Sequence, residues 1–234
     1  MLLKKYLSKT EYTKLFDIVK STGIIPDFDY GMDGDTRWVS VNGKRSEQAR
    51  DAKDFNIIVG ECISRLSALP HIMLFNEYLT KSFCGDLKDE NTGVRSTGYK
   101  DKYDFDLYQA KRQGTGRLIG HTTVEVKCRD GQYTLEYYKN PKCEGVLLDL
   151  SKNNEAEFFY TQTSDGYGLI FTMDKPDSIE ARVSNKNTSE LTGEKVIRDR
   201  MFFGLDKAIL MEDPIDGTEE EFNKLFEKLK NNVR

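Results

Sequence analysis

Cysteine and histidine are scarce in this chain, which has four cysteines and only two histidines among its 234 residues. None of the cysteines forms a Cys-x-x-Cys pair, so a zinc site would have to be assembled from scattered ligands. With only two histidines, the sequence argues against catalysis by a Ser-His or Cys-His nucleophile. We interpret His121 as a surface residue near the start of a strand. The cysteines are interpreted as buried, reduced thiols of a cytoplasmic protein.

The sequence also lacks an uninterrupted apolar run of the ~20 residues that a membrane-spanning helix needs. Its first residues lack the apolar core and small-residue cleavage site of a secretory signal, so we expect a cytoplasmic protein without a membrane segment. With 35 basic and 39 acidic residues, the formal net charge is −4. This charge argues against strong nonspecific binding of nucleic acid, but it does not exclude a local basic groove.

Hydrophobic residues make up 38% and charged residues 32% of the chain, a mixture typical of one globular domain. The spacing of apolar residues predicts a short helix over 10–22 and a terminal helix over 218–230. A longer helix is predicted over 46–69, with Ser46 as its cap and Pro70 just beyond its end. Two shorter helical segments are predicted at 147–156 and 176–183.

Apolar alternation and turn residues predict the remaining elements. The predicted strands lie at 38–41, 71–75, 104–108, 123–127, 133–138, 157–161, 169–173 and 202–211. A continued helix is the alternative at 71–80, and a hairpin is the alternative at 202–211. Loops are predicted at 27–34, 84–100 and 184–195.

Two neighbouring predicted strands place three carboxylates and a lysine close together. Asp104 and Asp106 are two residues apart on one strand, and Glu125 and Lys127 are two apart on the next, so each pair shares a face. The segment 111–117 between the strands is polar with two glycines, which suits a hairpin connection. Carboxylates on one face repel one another. Binding of a divalent cation beside a phosphate is the function that best explains why they lie together.

An aspartate on one strand followed by Glu-x-Lys on the next resembles the PD-(D/E)XK superfamily of restriction-endonuclease-like nucleases. Here Asp106 precedes Glu125 by nineteen positions, and Lys127 completes the motif. Members often carry a glutamate on the first core helix, and Glu61 in the predicted long helix resembles it. The family's proline before the aspartate is missing, which leaves Asp104 as a second choice for Asp106.

The resemblance implies an α+β fold with a mixed central sheet, flanking helices and a restriction-endonuclease-like α-β-β-β-α-β core. That core corresponds to residues 46–183. Residues 1–45 are then an N-terminal extension packed on the core, and residues 184–234 are a C-terminal extension that ends in a helix.

The resemblance also implies a Mg²⁺-dependent enzyme that hydrolyses DNA, as an endonuclease or an exonuclease, with Mn²⁺ able to replace Mg²⁺. Asp106, Glu125 and Glu61 would be the metal ligands, and the metal would activate the attacking water. Lys127 would orient that water or stabilise the developing negative charge. DNA is the expected partner, and a homodimer is one way for two such sites to cut both strands.

Other interpretations of the same residues stay open. The hairpin could be a solvated surface with weak acid–lysine pairs, and the chain could be a non-catalytic accessory protein that binds nucleic acid or protein. A host-interaction protein that contacts no phosphate is a third alternative. Lys195, Arg198 and Arg200 form a small basic patch that suits either phosphate contacts or exposure to solvent.

Overall fold

A computed structural model describes residues 12–84, 92–98, 102–110, 118–127, 145–149, 156–162, 168–188 and 195–212. These residues form helices and several β-sheets, which confirms the predicted α+β class. The predicted strand at 133–138, the predicted terminal helix at 218–230 and the connection at 111–117 lie outside the described residues.

The first described elements are one helix and a small antiparallel sheet. They are α1 (Tyr12–Thr22), β1 (Phe28–Asp33), β2 (Thr36–Val41) and β3 (Lys44–Glu47), with the strands in the order β1-β2-β3. The helix predicted over 10–22 and the strand predicted over 38–41 are thereby confirmed. Asn42 and Gly43 both have positive φ, as a two-residue hairpin turn between β2 and β3 requires.

Strand β1 contradicts the loop predicted over 27–34. Its side chains alternate, because Phe28 is buried and Tyr30 is half-buried while Asp29 between them is exposed. The ammonium of Lys20 donates a hydrogen bond to Asp29 over 2.7 Å, and this bond lowers the pKa of the Asp29 carboxyl. Asp29 and Asp33 are therefore exposed side chains on one face of a strand.

The longest element is helix α2, Ala52–Cys84, whose bounds differ from the predicted 46–69 at both ends. Ser46, the predicted cap, is instead buried in β3. The helix starts after Asp51, whose backbone carbonyl accepts the N–H of Phe55 over 2.9 Å. The prediction failed because a serine before a helical pattern also fits a short strand that runs into the helix.

Pro70 lies inside α2, so the predicted end of the helix and the strand predicted at 71–75 are both wrong, and the alternative of a continued helix is confirmed. A proline within a helix removes one backbone hydrogen bond and costs about 3 kcal/mol. Leu69, Ile72 and Phe75 are completely buried on either side of it. Burying each such side chain contributes about 1.5–3 kcal/mol, which offsets the cost and keeps the helix continuous.

Helix α2 is long and largely apolar, although charged residues such as Glu61 and Arg65 interrupt its apolar sequence. The segment Ala52–Ser82 is long and apolar enough to cross a membrane by length and composition alone. In the structure, 61% of its most apolar window is buried inside the protein. The apolar side chains of α2 thus supply the core onto which the strands pack.

The remaining strands form a six-stranded sheet and a three-stranded sheet. They are β4 (Gly93–Ser96), β5 (Phe105–Ala110), β6 (Leu118–Lys127), β7 (Gly145–Asp149), β8 (Phe158–Gln162), β9 (Gly168–Thr172), β10 (Ser178–Thr188), β11 (Lys195–Gly204) and β12 (Leu210–Glu212). A 3₁₀ turn, Leu205–Lys207, lies between the last two.

The six-stranded sheet has the order β12-β9-β8-β6-β5-β4. Strands β4, β5 and β6 form an antiparallel meander, whereas β8 runs parallel to β6. This central sheet confirms the strands predicted at 104–108, 123–127, 157–161 and 169–173. Strand β4 lies inside the loop predicted over 84–100, which is wrong for those four residues.

The three-stranded sheet has the order β10-β11-β7 and is antiparallel. It contradicts the helix predicted at 176–183. It also contradicts the described parts of the helical turn predicted at 147–156 and of the loop predicted at 184–195. Strand β11 also begins well before the strand predicted at 202–211. Short apolar segments fit a strand and a helix equally well, and here pairing with neighbouring strands decides between them.

Both faces of the central sheet are covered. Phe105 and Val124 belong to the core cluster formed with α1 and α2. On β8, Tyr160 joins that cluster, while the preceding Phe159 joins a second cluster with Met201 of β11. Successive residues of a strand face opposite sides, so α2 lies on one side of the central sheet and the three-stranded sheet on the other.

Two glycine substitutions test this packing in opposite directions. A Cβ at Gly168 would lie 2.8 Å from the His71 ring, which is buried against the Tyr160 hydroxyl at 2.6 Å. We expect Gly168→Ala to destabilise the protein by about 1–3 kcal/mol. Gly60 lies in α2, and a Cβ added there would meet nothing within 4 Å, so Gly60→Ala should stabilise by about 0.5–1 kcal/mol.

Urea unfolding followed by the fluorescence of Trp38, the chain's one tryptophan, measures both changes. Equal effects of the two alanines would contradict the packing of β9 against α2.

Candidate functional site

Two buried carboxylates lie on one face of adjacent strands in the central sheet. Asp106 on β5 is 9% exposed and Glu125 on β6 is 3% exposed. Asp106 is directly opposite Thr123, and Glu125 is two residues beyond Thr123, so the two carboxylates are diagonal neighbours. Diagonal neighbours in a sheet are about 7–8 Å apart. We call this pair the carboxylate face.

The apolar alternation of both strands fixes this orientation. Phe105 and Leu107 on β5, like Val124 and Val126 on β6, are buried in the cluster with α2. The residues between them must then face the opposite side of the sheet. Glu125 is directly opposite Phe159 of β8, whose ring belongs to the cluster beneath the three-stranded sheet.

Asp106 is held by a histidine that the sequence pattern placed at the surface. The Nε2 atom of His121 lies 2.8 Å from Oδ1 of Asp106, and the ring of Tyr108 lies 5.1 Å from the imidazole ring. About half of the His121 side chain, 51%, is exposed. The interpretation of His121 as a surface residue was therefore incomplete, because one edge of its ring is bound to a buried carboxylate.

Arg95 lies on the other side of Asp106. It is the register partner of Asp106 on β4 and is exposed, so it adds a positive charge beside the carboxylate face. Sequence reasoning missed it because this segment was assigned to a loop. The alternation of apolar Val94 with its polar neighbours in Gly93–Ser96 was the signal that could have revealed it.

Asp104, the second choice for the metal ligand, has a different environment. Its Oδ2 atom accepts the backbone N–H of Val126 over 2.7 Å, and its Oδ1 atom accepts a hydrogen bond from Nη2 of Arg65 over 3.1 Å. Oδ2 of Asp104 thus accepts a backbone N–H of β6, as a backbone carbonyl of a neighbouring strand would. Both oxygens of Asp104 are used to join β5, β6 and α2.

Arg65 is among the largest fully buried side chains of the described residues and is only 1% exposed. Besides Asp104, its guanidinium donates to Oε1 of Glu61 over 2.8 Å and to Oγ of Ser96 over 2.8 Å. It also donates to the backbone carbonyls of Thr97 over 2.6 Å and of Gly98 over 3.3 Å. One arginine therefore fastens α2 to the end of β4 and to the start of β5.

The predicted site residues are accordingly divided between two places. The structure brings Asp106 and Glu125 together, and it places Glu61 with Asp104 around Arg65. Lys127 lies two residues beyond Glu125 on β6, opposite Thr161, which places it on the face that carries Glu125. Across the part of the chain that the structure describes, histidine, cysteine, aspartate and glutamate form no group of three or more that could hold a metal.

Cys62 is the one predicted thiol whose surroundings the structure describes. It is fully buried in α2 as a free cysteine, which confirms the prediction for this residue. Burial raises the pKa of its thiol, so it remains protonated and unreactive at neutral pH.

Comparison with known proteins identifies no relative: no protein-family model, no curated protein and no solved structure matches this chain.

Replacing Arg65 should destabilise the fold strongly. Arg65→Met leaves the carboxylate of Asp104 buried without its cation, and such a change costs about 3–5 kcal/mol. Arg65→Lys should also destabilise, because an ammonium cannot reproduce the planar set of donors. Arg50→Met is the matched control, since the Arg50 side chain is 82% exposed and its loss should change stability by about 0.5 kcal/mol or less.

Equilibrium urea unfolding gives these free energies. A loss of under about 1 kcal/mol in Arg65→Met would show that the buried network contributes little to stability.

Proposed function

We propose that this protein is a Mg²⁺-dependent deoxyribonuclease with a site similar to that of the PD-(D/E)XK nucleases. One observation carries the proposal: Asp106 and Glu125 are both buried, and both occupy the same face of adjacent strands. Two like charges in such surroundings are costly unless a cation joins them. Lys127, two residues beyond Glu125, supplies the remaining member of the motif.

The order of elements supports this proposal. Helix α2 precedes the antiparallel meander β4-β5-β6, and the chain then returns to add β8 parallel to β6. That succession resembles the α-β-β-β-α-β core, with the aspartate on the second strand and Glu-x-Lys on the third. The connection from β6 to β8 departs from it, because its described part contains strand β7 in place of the predicted helix.

Two carboxylates fit Mg²⁺ better than they fit a metal that takes all of its ligands from the protein. Magnesium is commonly bound by one or two carboxylates, with water and substrate phosphate oxygens as its other ligands. Asp106 and Glu125 would hold it, and the lack of a third ligand in the described residues agrees with such a site. When bound, Mg²⁺ would supply Lewis acidity and a nucleophile at neutral pH.

The chain's own residues have distinct roles in this proposal. The carboxylates of Asp106 and Glu125 would hold the cation, which would supply positive charge for the reacting phosphate. His121 fixes the position of Asp106 through the contact of its Nε2 atom with Oδ1, and it presents a half-exposed imidazole beside that carboxylate. Arg95 and Lys127 add positive charge where the transition state accumulates negative charge.

One observation favours a second candidate function, a non-catalytic protein that binds nucleic acid or protein with a similar fold. Arg65 donates hydrogen bonds to the carboxylates of Glu61 and Asp104, which the sequence motif predicted as metal ligands. A site reduced to Asp106 and Glu125 could retain a binding surface without hydrolysis. The two functions differ in their need for a divalent metal.

Glu125→Gln tests the deoxyribonuclease. The amide preserves the shape of the side chain but removes the charge that would bind the cation, so Mg²⁺-dependent cleavage of DNA should fall by about 100-fold or more. Because Glu125 is buried, the melting temperature of the variant is measured to verify that it is folded. Glu157→Gln, an exposed position next to β8, is the matched control and should cleave like the wild type.

Cleavage is measured on single-stranded, linear duplex and branched DNA with Mg²⁺ and with Mn²⁺. Wild-type rates in Glu125→Gln would refute the proposed site. A wild-type protein that binds DNA but cuts none of these substrates would favour the non-catalytic candidate.

A further inference from the structure

The side of the central sheet that carries the carboxylate face is covered by described residues at one end only. Over β8 and β9, Phe159 on this side packs against Phe203 of β11, with ring centroids 5.8 Å apart. Over β4 and β6, the side chains on this side include Arg95 and His121, which are both exposed. Since β4 is the edge of the described sheet, the described residues leave this end accessible to a ligand.

The register arranges the accessible end in two neighbouring rows of side chains. In the first row, Tyr108 of β5 is opposite Gly93 on β4 and His121 on β6. In the second row, Asp106 of β5 is opposite Arg95 on β4. Residues two apart on a strand share a face and are about 7 Å apart, so the tyrosine lies directly beside the proposed metal ligand.

The ring of Tyr108 has an aromatic neighbour on one side only. The imidazole ring of His121 lies 5.1 Å from it, and the two planes differ by 33°. Toward β4 the register partner is Gly93, which has no side chain to cover the ring. Tyr108 is half-buried, and within the described part of the chain its ring contacts no other ring.

A glycine opposite an aromatic residue at the edge of a sheet also has a cost, because it weakens a strand and packs nothing. Such a glycine often marks a place where a ligand or another backbone approaches closely. A flat group placed over Gly93 would contact the free side of the Tyr108 ring. The first row is therefore shaped to receive a planar ligand.

Arg95 gives the second row a positive charge that no described neighbour uses. Its side chain is exposed, and no described residue forms a hydrogen bond or an ion pair with its guanidinium. The nearest carboxylate in the register, Asp106, is bound instead by Nε2 of His121 over 2.8 Å. A free guanidinium beside a planar site suits a phosphate group next to a base.

We propose that Tyr108 stacks with an unpaired base of single-stranded DNA and that Arg95 binds a phosphate of the same strand. Stacking of bases on aromatic side chains is a general means of binding single strands, whereas the bases of a duplex are already stacked on one another. The inference rests on the proposed function for its choice of DNA. It deepens that function by assigning to the enzyme a substrate with a single-stranded segment beside the reacting phosphate.

The test is binding of a fluorescently labelled oligothymidylate by the full-length protein in EDTA, followed by anisotropy at several salt concentrations. Loss of one stacked base in Tyr108→Ala should reduce the affinity about 5- to 150-fold. Tyr108→Phe keeps the ring and should bind within about threefold of the wild type. Loss of one phosphate contact in Arg95→Gln should lower the slope of log affinity against log salt by about 0.7.

An abasic oligomer of the same length separates stacking from a purely structural role of the tyrosine. The wild type should bind the oligothymidylate more tightly than the abasic oligomer, and Tyr108→Ala should bind the two alike. A blunt duplex should bind the wild type more weakly than the single strand does.

Tyr78→Ala and Arg50→Gln are the matched controls. Tyr78 is 52% exposed and lies on α2, on the opposite side of the sheet, and the Arg50 side chain is 82% exposed. Both variants should bind like the wild type. Melting temperatures verify that each variant is folded.

The proposal would be overturned by a wild type that does not bind the oligothymidylate, or that binds the abasic oligomer or the duplex equally well. Wild-type affinity in Tyr108→Ala, or an equal loss in Tyr78→Ala, would also overturn it. Because the assay contains no metal, it does not depend on a functional carboxylate face. Failure of the deoxyribonuclease proposal would appear only in the cleavage assay of Glu125→Gln.

Discussion

The buried guanidinium of Arg65 is the constraint on which the central architecture depends. A charge with 1% exposure is tolerated only when nearly all of its donors are satisfied, and here they are satisfied by α2, by the end of β4 and by the start of β5. Since Asp104 also accepts the backbone N–H of Val126, the same network reaches β6. The relative positions of one helix and three strands are therefore fixed at a single point.

This constraint divides the carboxylates of the central sheet into two groups. Asp104 and Glu61 face a cation that the fold already supplies, whereas Asp106 and Glu125 lie on the opposite side of the sheet from α2. Rigid strands hold such groups more precisely than loops do. His121 and Arg95 belong to the same three strands as the carboxylates, so the acidic, cationic and imidazole groups of the proposed site are held by one sheet.

The sequence predicted the parts of the fold that local pattern determines. Apolar and charged residues alternate over 104–107 and 124–127, and this alternation predicted that Asp106 and Glu125 share a face. The continuation of α2 through Pro70 could not, because burial of Leu69 and Phe75 outweighs a local signal for termination. The role of Asp104 was equally hidden, since nothing in the chain near Asp104 indicates that Arg65 lies beside it. The three-stranded sheet was missed because its strands are stabilised by distant partners.

The most direct test of the proposed metal site is calorimetric titration of Mn²⁺ into the protein, with and without a duplex oligonucleotide that resists hydrolysis. We expect a site in the wild type and in Glu157→Gln that is lost in both Asp106→Asn and Glu125→Gln. Loss in both variants would place the two carboxylates in one metal site. Retention of binding in either variant, or no binding to the wild type even with the duplex, would contradict the central claim.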